Sequence, residues 1–103
     1  METERYHPLV AVDLLDACQH YDAIAIALGN RFRTSVQRKV RAIVERPEMF
    51  GRIAGDFRGA SIERFPYVVV FTVDDGVTCI YGVRHAASDK ESWFVRTMPE
   101  IDG

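Results

Sequence analysis

Cysteine is nearly missing from this chain: Cys18 and Cys79 are the only two among 103 residues, too few for a disulfide scaffold. Both stand on apolar faces and read as buried thiols of a reducing compartment, a bridge between them being the less favoured reading. Long hydrophobic runs are missing too. No apolar core follows Met1-Glu2-Thr3-Glu4-Arg5, and the longest helical apolar stretch, Ala23 to Leu28, is far short of the ~20 residues that cross a bilayer. A cytoplasmic protein with no membrane contact is the expectation. His7, His20 and His85 fall in three different predicted elements with no Cys or carboxylate at ligand spacing, which gives a metal no support. Phosphate-binding glycine loops, dinucleotide fingerprints and Gly-x-Ser-x-Gly elbows are absent, so no cofactor is expected. Charge of one sign is lacking as well. A net charge of −2 argues against a domain that holds nucleic acid mainly by its phosphates.

What is present is apolar, β-branched and patterned. Phe65 to Val73 is an almost unbroken run, with Phe65, Tyr67, Val69, Phe71 and Val73 on one face and Val68 and Val70 on the other. A strand apolar on both faces belongs at the centre of a sheet. Asp74-Asp75-Gly76 follows as a turn, then a second strand from Val77 to Arg84, which together read as a hairpin. Phe57–Ile62 reads as a further short strand, Thr3–His7 as an edge strand, and residues 47–56, with Pro47, Gly51 and Gly55, as a loop.

Helical spacing governs the first half. Val10, Leu14, Ala17, Cys18, Tyr21, Ala25 and Leu28 recur every three or four residues, with Asp13, Asp16, Gln19 and His20 turned outward. Phe32, Val36, Val40, Ile43 and Val44 form a second set, ended by Pro47. Periodicity leaves one long helix or two open; Gly29-Asn30 offers a break, and base rates favour an antiparallel hairpin. Ser88 to Arg96 reads as a short helix, with Ser88 and Glu91 as its capping box. The expected class is α+β: one domain over residues 1–103, a helical hairpin on one face of a small, mainly antiparallel sheet, a short C-terminal helix, and loose ends at 1–5 and 98–103. Tyr67 and Val69 should be among the most buried residues.

Charge is segregated along the chain. Residues 31–64 hold nine Lys/Arg against four acids, a local +5, and the remainder carries −7. This basic stretch suits an acidic partner, with Arg38, Arg41, Trp93 and Arg96 as candidate contacts; each cation also reads as solvated surface, and Trp93 as the anchor of its own helix. Arg58, Arg64, Arg84 and His85 sit near predicted strand ends, where they could steady a phosphate with His85 as acid or base. They could equally hold an acidic peptide.

Phe65-Pro66-Tyr67 opening a Val-rich strand, a second strand ending in His85, then Trp93 and Arg96, resembles the RelE/ParE superfamily of bacterial toxins. Ala11-x-Asp13-Leu14-x-x-Ala17 and Tyr21 fit the same resemblance, which covers roughly residues 6–96. It implies the α+β fold above, a helix–helix turn near Asp22–Ala25, and the toxin role in a type II toxin–antitoxin (plasmid stabilisation) module with a cognate antitoxin as partner. Homodimers, or hetero-oligomers with the antitoxin, stay open. Two activities occur on that scaffold: ParE-like binding and poisoning of DNA gyrase, and RelE-like, metal-independent cleavage of mRNA on the ribosome. Val68-Val69-Val70-Phe71 lacks the central-strand Arg of the cleaving branch, and Ala86 follows His85 where that branch often has Arg. The ParE-like branch is therefore expected, with the endonuclease or a non-toxic interaction module as alternatives.

Overall fold

In the computed structural model, which describes residues 3–100, the strands are β1 (Glu4–Tyr6), β2 (Arg52–Ala54), β3 (Phe57–Ser61), β4 (Tyr67–Asp74) and β5 (Val77–His85). They form one sheet in the order β1-β5-β4-β3-β2, antiparallel throughout except that β1 runs parallel to β5. Two helices, α1 (Leu9–Ile24) and α2 (Ile26–Glu45), pack over one face. The α+β class and the mainly antiparallel sheet are as expected.

The apolar run becomes the middle strand, and Val69, Val70 and Phe71 are wholly buried. Three consecutive residues are buried because the sheet has a second cover. Val69 and Phe71 face the hairpin core, whereas Val70 pairs in register with Gly59 and Gly82 on the other face. Tyr67 is a correction: it is only half-buried, since it opens β4 opposite the exposed His85. Val73, at the hairpin end, is 40% exposed. Phe65 also falls before the strand, because Pro66 has no N–H to donate to a ladder. The β4–β5 turn has positive φ at Asp75 (51°) and Gly76 (75°), the pairing that a type I′ hairpin requires.

The two helices meet at one residue. Ala25 is extended (φ −163°, ψ 137°), and its carbonyl accepts from the Leu28 and Gly29 N–H groups. The turn thus lies where the family resemblance puts it, and Gly29-Asn30 is no break: both residues lie inside α2. Gly29 is there for space, since a Cβ would collide with the Asp22 carboxylate. That carboxylate takes Arg33 in two hydrogen bonds, of 2.6 and 3.0 Å, across the hairpin.

Residues 47–56 are more ordered than a loop: a 3-10 turn, Pro47–Met49, leads into β2. β2 is three residues long and irregularly paired, too short for its pattern to rise above Gly51 and Gly55. The C-terminal element is a 3-10 helix, Lys90–Phe94, and not an α-helix over 88–96. Its cap is Asp89, whose carboxylate accepts the Glu91 N–H. Ser88 is drawn elsewhere: its hydroxyl donates to the His85 carbonyl and accepts the Trp93 indole N–H. The expectation of loose ends falls partly on residues 1–2 and 101–103, outside those described. Within them, Glu4 and Arg5 pair with Thr78 and Cys79, and Arg5 donates to the Pro99 carbonyl.

Under the hairpin, Tyr21 and Phe32 pack against Phe65 with ring centroids 5.0 and 5.1 Å apart, and Val36, Ile43, Val69 and Ile80 complete the core. Cys18 and Cys79 are both buried and no disulfide joins them, as their apolar setting implied.

Candidate functional site

β1 ends at Tyr6, leaving the outer edge of β5 bare beyond Ile80, whose carbonyl takes the His7 N–H at 2.8 Å. The next outward donor, the Val83 N–H, is met by the Asp13 carboxylate at 3.0 Å. Arg96 then closes on both Asp13 oxygens, at 2.7 and 2.8 Å, and donates to the Tyr81 carbonyl at 2.9 Å. Both side chains are about nine-tenths buried. Their hydrogen bond holds the Arg96 guanidinium above the ordinary arginine range. Arg84 adds a third cationic contact, 3.8 Å from Asp13, and donates to Ser92. Gly82 leaves the room: a Cβ would sit 2.9 Å from Arg96 and 3.0 Å from Asp13. Asp13, expected on the outward face, is thus the hub that ties α1, β5 and the C-terminal segment together. Helical phase hid this, because the phase cannot show that the sheet edge comes to meet the helix.

The four strand-end candidates do not converge. Arg58 pairs with Phe71 on the hairpin face and donates to the Phe50 carbonyl at 2.6 Å. Arg84 pairs with Val68 on the opposite face. Their rows on β4 lie three residues apart, about 10 Å along the strand. Arg64 lies outside any strand, in the β3–β4 loop, and is exposed. His85 ends β5 with its ring edge-on to Tyr67, 5.1 Å away, and its Nδ1 accepts the Ala87 N–H at 3.0 Å. That acceptor role puts the proton of the neutral ring on Nε2.

Of the four partner-contact candidates, Trp93 is buried and spends its N–H on Ser88, and Arg96 is locked to Asp13. Arg38 and Arg41 are exposed on α2, and each lines a different groove beside it. Arg41 borders a groove of about 790 Å³ between the hairpin and β1, floored by Leu14, Val36, Val40 and Val44 and rimmed by Tyr6. The Tyr6 phenol donates to Glu4, and burial, then that hydrogen bond and the Glu4 charge, push its pKa up to about 12. The i, i+4 apolar steps of α2 announced this stripe, but only the fold leaves its far end uncovered beside a strand edge.

With the fold in place, a solved counterpart stands out. A chain from a structure of the chromosomal ParDE TA (toxin–antitoxin) system of P. aeruginosa superposes with a TM-score of 0.73, over 82% of this chain and 96% of that one, at 18% identity. The fold is ParE-like. At that identity the likeness is one of backbone and not of site residues. No family model and no curated protein matches the sequence. Among the described residues of this ParE-like fold, no helix is long and apolar enough to cross a membrane, and no three His, Cys, Asp or Glu side chains gather as metal ligands.

Proposed function

We propose that this chain is the toxin of a type II toxin–antitoxin module, neutralised by a cognate antitoxin and acting by binding DNA gyrase. The ParE-like fold carries the reading. The groove between the hairpin and β1 supports the antitoxin half of it: an apolar floor flanked by an open strand edge suits a segment that orders on binding, with Arg41 at the rim for an acidic residue. Arg38 would serve the same partner only from the other groove, and Trp93 and Arg96 would act by holding the C-terminal segment.

Co-expression with the product of the neighbouring gene should yield a stoichiometric complex, weakened by Val40→Asp in the groove floor. Failure to bind any adjacent gene product would count heavily against the toxin role. Expressed alone, the chain should inhibit gyrase supercoiling before translation stops. Replacing His85 with Ala should lower toxicity less than ~10-fold, because a general acid or base is worth about 10²–10⁴-fold. A larger loss, with mRNA cleaved on ribosomes, would favour the endonuclease. That alternative has less support, since Arg58 and Arg84 leave the sheet on opposite faces.

A further inference from the structure

Arg31 and Arg38 stand two turns apart on the flank of α2 that looks toward the β3–β4 loop, where Arg64 joins them. The three line a groove of about 490 Å³ with Leu28, Ser35 and Phe65. All three arginines are exposed, and among the described residues none has a hydrogen bond or ion pair through its side chain. The neighbouring cations are spoken for: Lys39 by Glu63 at 2.8 Å and Arg33 by Asp22 at 2.6 Å. Three unpaired guanidiniums around one concavity repel one another until an anion enters. Arg64 also sits at φ 70°, a left-handed conformation that Gly or Asn would adopt with less strain. Keeping Arg there spends stability on its side chain.

We propose that this groove docks a short acidic segment of a protein partner, its carboxylates on the three arginines and an apolar side chain against Leu28 and Phe65. Arginine forks match carboxylates in bidentate geometry, and the two half-buried apolar residues offer a seat that phosphates alone would not fill. Charge distribution also separates a peptide from a nucleic acid. The chain as a whole carries −2, so a strand of phosphodiesters gains little counterion release beyond these few arginines. A short peptide ends where the cations end. The site lies on the other flank of α2 from the groove beside β1, so it does not depend on the toxin reading.

Fluorescence anisotropy on the full chain can test this with three probes: a labelled 12-residue peptide of repeated Glu-Glu-Leu, the same peptide with Gln for Glu, and a 12-nucleotide single-stranded DNA. The Glu peptide should bind, more weakly as salt rises, and the other two should not at the same concentration. Arg64→Glu should weaken the Glu peptide at least ~10-fold, the scale of one lost charge-assisted contact. Arg64→Gly should also weaken it while raising the urea midpoint, because glycine relieves the backbone; that split separates a binding role from a folding defect. An affinity unchanged in the Arg31→Glu/Arg38→Glu/Arg64→Glu chain, no binding of the Glu peptide at millimolar concentration, or tighter binding of the DNA would each overturn the proposal.

Discussion

Asp13 accepts more hydrogen bonds than any other carboxylate among the described residues. Its two oxygens answer a backbone donor of β5 and both nitrogens of Arg96 in a nearly dry setting, so removing one partner strands the others. Arg96→Ala should cost about 3–5 kcal/mol in a urea melt, the range for breaking a buried pair from one side. A double-mutant cycle with Asp13→Asn should show strong coupling; additive losses would mean that the two side chains stabilise independently. Tyr6 gives a test by pH. Its folded pKa is raised to about 12 from an ordinary value near ~10, so the folded state holds the proton more tightly. The resulting stability is complete below the unfolded value and is lost as pH rises from ~10 through 12. Tyrosine-labelled NMR should show one ring titrating near 12, and Glu4→Gln should bring it down. An unmoved titration would place the cause in burial alone.

Among the elements, the middle strand and the hairpin turn make opposite predictions. Phe71 is wholly buried in the core, edge-on to Phe50, and Phe71→Ala should destabilise by roughly 3–5 kcal/mol. Tyr67→Ala should cost clearly less, since Tyr67 is only partly buried. Equal losses would mean that the strand is buried along its whole length. Exposed Arg31→Ala should stay within about ±0.5 kcal/mol. At the turn, Ala25 precedes α2 with no side-chain cap. Ala25→Ser supplies a hydroxyl for the orphan N–H groups and should stabilise by about 0.5–1 kcal/mol in thermal melts. A loss would show that the extended geometry at Ala25 does not present a capping oxygen.

At the scale of the whole molecule, the sheet is covered twice, by the hairpin on one face and by the Trp93 segment on the other. The C-terminal layer can approach because Gly82, in register with Val70, leaves room for Arg96. Gly82→Ala should therefore press directly on the Asp13–Arg96 pair, loosening it and speeding amide exchange in residues 90–96. Exchange unchanged there would show that the segment is held by Trp93 alone. The two grooves flank α2 on either side, one apolar beside a strand edge and one cationic. A partner that covered both would have to wrap the helix.

Sequence by itself determined the class and most of the elements, though not β2. Val68 to Phe71 could only be a central strand, Asp75-Gly76 could only turn tightly, and the two sets of apolar residues at helical spacing could only pack on one face. Those signals are local, carried by covalent preference and by a period of two or 3.6. Tertiary structure decided the rest. It drew Asp13 inward, because the bare edge of β5 supplies a donor that no helical wheel contains. Arg58 and Arg84 went to opposite faces, because strand parity within β3 says nothing about β5. Trp93 and Arg96 turned from candidate contacts into internal anchors. The free side chains of Arg31, Arg38 and Arg64 came together across a loop, and no sequence pattern states which cations the fold leaves without a partner.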